Sequence, residues 1–133
     1  MASDDIVDHS IFDQLLEMDE DDEERSFSRD IVLNYFEQAE TTFASMDNSL
    51  GAKDLPSLSR LGHFLKGSSA ALGLTKVKAS CEKIQHYGNL KDEHGSGSIS
   101  EDEALKRIGA LLAQTKEEYR EAEDYLKKFY ASA

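Results

Sequence analysis

His63 is the residue whose type and surroundings could do chemistry. On helical spacing its neighbours are Ser59 and Arg60 one turn before it, Lys66 and Gly67 one turn after it, and Ala70 a turn beyond. The ring would stand on a clearing of small residues with a cation on either side. A neutral imidazole offers a nucleophilic nitrogen near physiological pH, because its unperturbed pKa is about 6.5. Lys66 supplies a point charge for any anion held on that ring. Gly67 costs a helix interior roughly 1 kcal/mol against alanine, and Gly62 adds a similar penalty. Both losses make sense if something large must come close to the ring. The pattern suits a covalent carrier of a phosphoryl group. A solitary exposed histidine is otherwise an ordinary surface residue, so the residues alone leave a carrier or no chemistry at all.

Other chemistries lack their residues. His9, His63, His86 and His94 form no i, i+4 pair and no carboxylate–histidine motif, so neither a metal nor another cofactor is expected. Cys81 is the single cysteine, which excludes an internal disulfide and CxxC chemistry and reads as a small buried apolar residue. No Ser or Cys nucleophile has an organised partner set, and no glycine loop could cradle a nucleotide. The chain has 15 Lys+Arg against 27 Asp+Glu, a formal charge of −12 over 133 residues. Such a surface repels nucleic-acid backbones and anionic lipid, whereas a basic or metal-loaded partner suits it. No apolar run approaches the ~18–20 residues of a membrane span. Met1 to Asp5 has neither the basic head nor the apolar stretch of a signal peptide. With the lone cysteine, these features point to a reducing intracellular compartment.

The elements that must position His63 read as helices in one domain over residues 1–133, with 1–9 flexible. The spacing predicts a short helix from Ser10 to about Met18, capped by Ser10 with Asp13 completing a capping box. It carries two apolar stripes, Ile11, Leu15 and Met18 on one and Phe12 and Leu16 on the other. One stripe suffices for a core, so the other is covered or left for a partner. Asp19 to Glu24, six acidic residues in a row, reads as a solvated loop. A second helix over about Phe27 to Leu50 buries Val32, Phe36, Ala39, Phe43, Met46 and Leu50, with Ile31, Asn34 and Gln38 at its exposed margin. Asp54 caps a third helix that runs to about Leu72 and stops at Gly73. Its buried face is Leu58, Leu61, Leu65 and Leu72, and His63 lies about 200° from Leu61, towards solvent. A fourth helix runs from Thr75 to about Tyr87. After a flexible connection over Lys91 to Ser98, Ser100 caps a long last helix. Its core stripe is Ala104, Ile108, Leu111, Thr115, Tyr119, Ala122, Leu126 and Phe129. The expected fold is all-α, an antiparallel four-helix bundle with a short additional N-terminal helix across one end.

The run His63-Phe64-Leu65-Lys66-Gly67-Ser68-Ser69-Ala70-Ala71-Leu72-Gly73 resembles the signature of histidine-containing phosphotransfer domains, above all the fungal phosphorelay intermediates. The stretches from Gln38 to Ala44 and from Cys81 to Gln85 resemble the same branch. The resemblance implies that His63 accepts phosphoryl from a receiver-domain phospho-aspartate of a hybrid histidine kinase and passes it to the aspartate of a response regulator. It further implies that the receiver supplies Mg²⁺ and most catalytic groups, that the chain is no enzyme and has no ATP site, and that it resides in cytoplasm and nucleus. Position by position, Lys66 is the phosphate-stabilising cation and Gly67 the clearance residue. Gln85 orients the imidazole, with Ser68 supporting Gln85; a simple backbone hydrogen bond is the competing account of Ser68. Ile11, Leu15, Met18, Ile31, Asn34 and Gln38 match the patch on which receivers dock. The connection from Gly88 to Ser100 is shorter than in yeast-type relatives. A helical scaffold that binds receivers or other proteins without being phosphorylated is the alternative, although it has no need of Lys66 and Gly67. A sensor-kinase dimerisation domain fits less well, since Phe64 rather than an acidic residue follows His63. Nothing demands more than a monomer.

Overall fold

The computed structural model describes residues 6–19 and 25–131. Among the described residues five helices follow one another: α1 (His9–Glu17), α2 (Ser26–Gly51), α3 (Leu55–Ala71), α4 (Thr75–Gly88) and α5 (Glu101–Ala131). Among the described residues, β structure is confined to one isolated antiparallel bridge, Lys91 with Ser98. Helices α2 to α5 form the antiparallel bundle, each packed on its sequence neighbours, and α5 closes the ring against α2. The ends follow from local chemistry. The Asp54 carboxylate accepts from the Ser57 N–H at 3.2 Å and the Ser57 hydroxyl at 2.7 Å, with Pro56 tolerated in the first turn. Gly73 takes the left-handed φ of +76° that ends α3. Ser100 Oγ accepts from the Glu103 N–H at 3.1 Å at the start of α5.

At 1.5 Å per residue, α2 and α5 run about 39 and 46 Å, while α3 and α4 reach only about 25 and 21 Å. The long pair therefore overhangs, and α1 covers the overhang. Phe12 is fully buried, edge-on to Phe129 at 5.5 Å and to Tyr130 at 6.5 Å. His9 Nε2 lies 2.7 Å from the Tyr125 hydroxyl, and the Asp8 N–H donates to the Gly73 carbonyl at 2.7 Å. Burying a phenylalanine side chain contributes about 2–3 kcal/mol. That suffices to hold a nine-residue helix that would not form alone.

Several details depart from the sequence reading. The cap of α1 is Asp8, not Ser10: its Oδ1 accepts from the Ser10 N–H at 2.9 Å and the Ser10 hydroxyl at 2.6 Å. A carboxylate two residues earlier is the stronger acceptor at a helix's positive end, and Asp13 pairs with His9 Nδ1 at 3.1 Å. Residues 1–5 of the stretch expected to be flexible lie outside the described residues, but Val7 is fully buried and Asp8 is bonded to the bundle. Asp19, first of the acidic run, is buried rather than solvated. It accepts from the Ser28 N–H at 2.8 Å and the Ser28 hydroxyl at 2.6 Å, while the Tyr130 hydroxyl donates to Ser28 Oγ at 2.8 Å. The rest of that run, residues 20–24, lies outside the described residues. On α5, Leu112 is in the core and Leu111 at its margin. The connection over Lys91 to Ser98 is tied down by Asp92, which accepts from the N–H groups of His94 at 3.0 Å, Ser96 at 3.1 Å and Gly97 at 3.0 Å. The bond from the Ser96 N–H, with those from His94 and Gly97, holds the Asp92 carboxyl below the usual carboxylate range.

Candidate functional site

His63 sits in the middle of α3 on its outer wall. The ring is exposed, with no hydrogen-bond or ion-pair partner among the described residues. Leu58 and Leu65, on the opposite face, are fully buried. Measured around the helix from Leu65, at 100° per residue, Gly62, Lys66 and His63 lie one way, at about +60°, +100° and +160°. Ser68, Phe64 and Gly67 lie the other way, at about −60°, −100° and −160°. The two flanks face different neighbours. A Cβ built on Gly62 would stand 2.9 Å from the Cys81 carbonyl oxygen, 3.0 Å from the Gln85 nitrogen and 3.2 Å from Ile84 Cγ2. The flank that leads to His63 and Lys66 is therefore the one packed on α4.

The two glycines accordingly serve different ends. A Cβ on Gly67 would meet nothing within 4 Å, so the surface beside the ring is open. Gly62 leaves no such space, because α4 backbone occupies it; the expectation that it too clears room for a partner is corrected. The two cations also separate. Arg60 Nη2 donates to Ser57 Oγ at 2.8 Å, back towards the start of the helix. Lys66, half-buried on the α4 side, has no partner among the described residues. An ammonium held near the ring without a counter-charge is the group able to receive an anion there.

Gln85 lies on α4 against Gly62. Its Oε1 is buried and accepts no hydrogen bond from the described residues, a state that costs about 1–3 kcal/mol for an ordinary buried acceptor. No bond joins it to His63 in this structure. Ser68 does not support it either: the Ser68 hydroxyl donates to the Phe64 carbonyl at 3.3 Å, the backbone bond of the competing account. The reason is angular, since Ser68 is on the flank away from α4. Ser69 is the inward serine, fully buried, with its Oγ 2.8 Å from the Tyr35 hydroxyl of α2. Burial pushes the Tyr35 phenol up, against the lowering effect of that bond.

Of the six residues matched to docking, Met18 is 62% exposed, and Asn34 and Gln38 are exposed as well. Leu15 and Ile31 are half-buried against the core, and Ile11 is half-buried as well. The Ile11 Cβ comes within 3.3 Å of the Cβ position on Gly73, which lies ten residues after His63 and just past the end of α3. Asn34 and Gln38 flank Tyr35 on α2, the helix tied to α3 through Ser69. Two exposed aromatics escaped the sequence reading, Phe27 and Phe64, each 48% exposed. Their signal was available: Phe64 lies about 100° off the leucine face, and Phe27 one turn before Ile31.

Residues 30–125 match the Hpt domain family. The chain belongs to that family. Over 126 residues it is 56% identical to multistep phosphorelay regulator 1 of Schizosaccharomyces pombe, covering 94% of this chain and 42% of that protein. It is 47% identical over 90 residues to phosphorelay intermediate protein YPD1 of Saccharomyces cerevisiae, covering 67% of this chain and 52% of that one. The chain thus spans about half the length of the curated relatives it matches. A co-crystal structure of Saccharomyces cerevisiae Ypd1 with the receiver domain of its downstream response regulator Ssk1 superposes with a TM-score of 0.81 at 34% identity, covering 95% of each chain. The matched span of this Hpt domain holds His63, Lys66, Gly67 and Gln85, whereas α1, with Ile11 and Leu15, precedes it. Among the described residues no group of three or more His, Cys, Asp or Glu side chains could hold a metal ion, and no helix is long and apolar enough to cross a membrane.

Proposed function

We propose that this Hpt domain is a phosphorelay intermediate, carrying a phosphoryl group on His63 between the receiver domain of a hybrid histidine kinase and that of a response regulator. The observation that carries this reading is the exposed imidazole of His63 beside Lys66, both unpartnered among the described residues, with the open surface of Gly67 on the other side. The lone pair of one ring nitrogen attacks the phosphorus of a receiver's aspartyl phosphate. The N–P bond forms as the P–O bond to the aspartate breaks, the aspartate leaves as a carboxylate, and the ring keeps its other N–H. The reverse sequence loads the second receiver. Lys66 offsets charge on the transferring oxygens. Gln85 accepts from Nδ1–H and so leaves Nε2 as the nucleophile, which would satisfy its orphan oxygen. The receiver brings Mg²⁺ and the remaining charge-stabilising groups, and no ATP site is needed. Receivers dock over Met18, Asn34 and Gln38 and the half-buried Ile11, Leu15 and Ile31, with Phe27 and Phe64 extending the apolar contact. Residence in cytoplasm and nucleus is part of the same proposal and rests on the family resemblance.

Incubation with a phosphorylated receiver domain and Mg²⁺ tests it. Acid-labile, alkali-stable phosphate should move onto the chain and disappear in His63→Gln, which should still bind the receiver. A scaffold would bind and acquire no phosphate.

A further inference from the structure

We infer that Gly62 is a positioning residue for His63, acting through α4: its missing side chain sets the closeness of α3 and α4 that holds Gln85 on the flank of the imidazole. The inference rests on the phosphorelay reading and on the role of Gln85 within it. Its own support is steric. At Gly62 the obstacles are backbone atoms, the Cys81 carbonyl oxygen at 2.9 Å and the Gln85 nitrogen at 3.0 Å. Neither can turn aside as a side chain would. A methyl group there must push α4 outward by about half an ångström to reach ordinary van der Waals contact. The residue displaced is Gln85 itself, whose Oε1 is the one buried side-chain acceptor without a partner among the described residues. Gly62 immediately precedes His63, so this close approach of the two helices lies one residue from the ring.

Gly88 supplies the control. It lies on the same seam but at its other end, where a Cβ would meet Ser59 N at 2.7 Å and the Leu55 carbonyl oxygen at 2.9 Å. Gly88→Ala therefore strains the same pair of helices at least as much, but one turn away from Gly62, at Ser59 and Leu55.

The experiment compares wild type, Gly62→Ala, Gly88→Ala and Gln85→Leu. The readouts are the His63 ring tautomer, from side-chain nitrogen NMR, and the rate of phosphotransfer from a phosphorylated receiver. In wild type His63 should be mainly the Nδ1–H tautomer, and Gln85→Leu should return it to the Nε2–H form that free imidazole side chains prefer. Gly62→Ala should move the tautomer the same way and slow transfer on the order of tenfold to a hundredfold, as sub-ångström misplacement does. Gly88→Ala should lower the melting temperature with tautomer and rate kept. Should Gly62→Ala be largely unfolded, the comparison is repeated in trimethylamine N-oxide, which favours the folded state. Wild-type tautomer and rate in Gly62→Ala, with Gln85→Leu impaired, would overturn the role of Gly62 alone. Equal shifts in both glycine variants, or a Gly62→Ala chain that stays unfolded where Gly88→Ala folds, would assign Gly62 to fold stability and overturn it too. A wild-type ring without tautomer bias would instead remove the role of Gln85.

Discussion

Replacing Gly67 should make the protein more stable and a worse carrier at once. In Gly67→Ala the new methyl meets nothing within 4 Å, so no steric term opposes the gain. Removing an interior helical glycine then stabilises by about 0.5–1 kcal/mol, through helix propensity and a less disordered unfolded chain. A chain of this length unfolds with an entropy of about 0.28 kcal/mol/K, at roughly 2.1 cal/mol/K per residue. The melting temperature should rise by about 2–4 °C, read from the loss of helical circular dichroism at 222 nm. Gly67→Gln keeps most of that gain, because glutamine is a good helix former, but it sets a long side chain beside the ring. Transfer from a phosphorylated receiver should then slow by about tenfold or more, chiefly through weaker docking, since one poorly placed side chain costs about 1–3 kcal/mol. A lower melting temperature in Gly67→Ala would show that this glycine serves packing. Undiminished transfer in Gly67→Gln would show that no partner comes close there, and the clearance argument would fall.

Lys66→Ala should shorten the lifetime of the phosphorylated form or slow its formation, measured by the decay and appearance of labelled protein; no change in either removes its role. His63→Gln should keep the melting temperature within about 1–2 °C of wild type, since exposed substitutions away from caps cost little; a larger drop would mean that the ring helps hold α3. Cys81, its thiol pushed up to about 12 by burial and then by the Glu118 charge, should resist a thiol-specific disulfide reagent at pH 8 until the chain is denatured. Rapid reaction of the native protein would contradict its burial. The Ser57 hydroxyl, then its N–H, hold the Asp54 carboxyl below its ordinary value of 3.8. The cap's pH-dependent stabilisation is thus fully present above about 3.8 and is lost as pH falls through the lower folded value. Asp54→Ala should lower the urea midpoint at pH 7 by more than at pH 2–3, and an equal gap at both would exclude the carboxylate.

The bundle was legible because its signals are periodic and long. Val32, Phe36, Ala39, Phe43 and Met46 hold one face through many turns, and an error of one position in such a stripe averages out. The same averaging hides single-residue choices. Leu111 and Leu112 differ by 100° on α5, and which of them enters the core depends on how α5 is rotated against α2 and α4. The cap of α1 was misread for a local reason: Asp8 and Ser10 are both good acceptors, and Asp8 wins because its own N–H is fixed by the Gly73 carbonyl at 2.7 Å. That contact is between residues 65 positions apart, so no window on the sequence contains it. Asp19 is the same case. Its two bonds to Ser28, and the Tyr130 hydroxyl behind them, make a buried anchor of a residue that starts a run of charges.

At the site, composition identified the parts and angle decided their use. Gly62 and Gly67 carry the same propensity cost, yet they lie about 60° and 160° from Leu65. A wheel drawn from the buried leucines would have sent the first to a helix seam and the second to solvent. Ser68 and Ser69 are harder, because both fall within about 60° of Leu65 on opposite flanks; only the packing of α3 against both α2 and α4 makes Ser69 the buried partner of Tyr35 and leaves Ser68 to its own helix. The phosphoryl chemistry proposed for His63 rests on its immediate neighbours in sequence, whereas the ring orientation proposed for it rests on a glycine and a glutamine that meet only when α3 and α4 close. The Gly62→Ala and Gly88→Ala pair separates these two levels: damage confined to Gly62 makes the seam part of the site, and damage shared equally leaves it part of the fold.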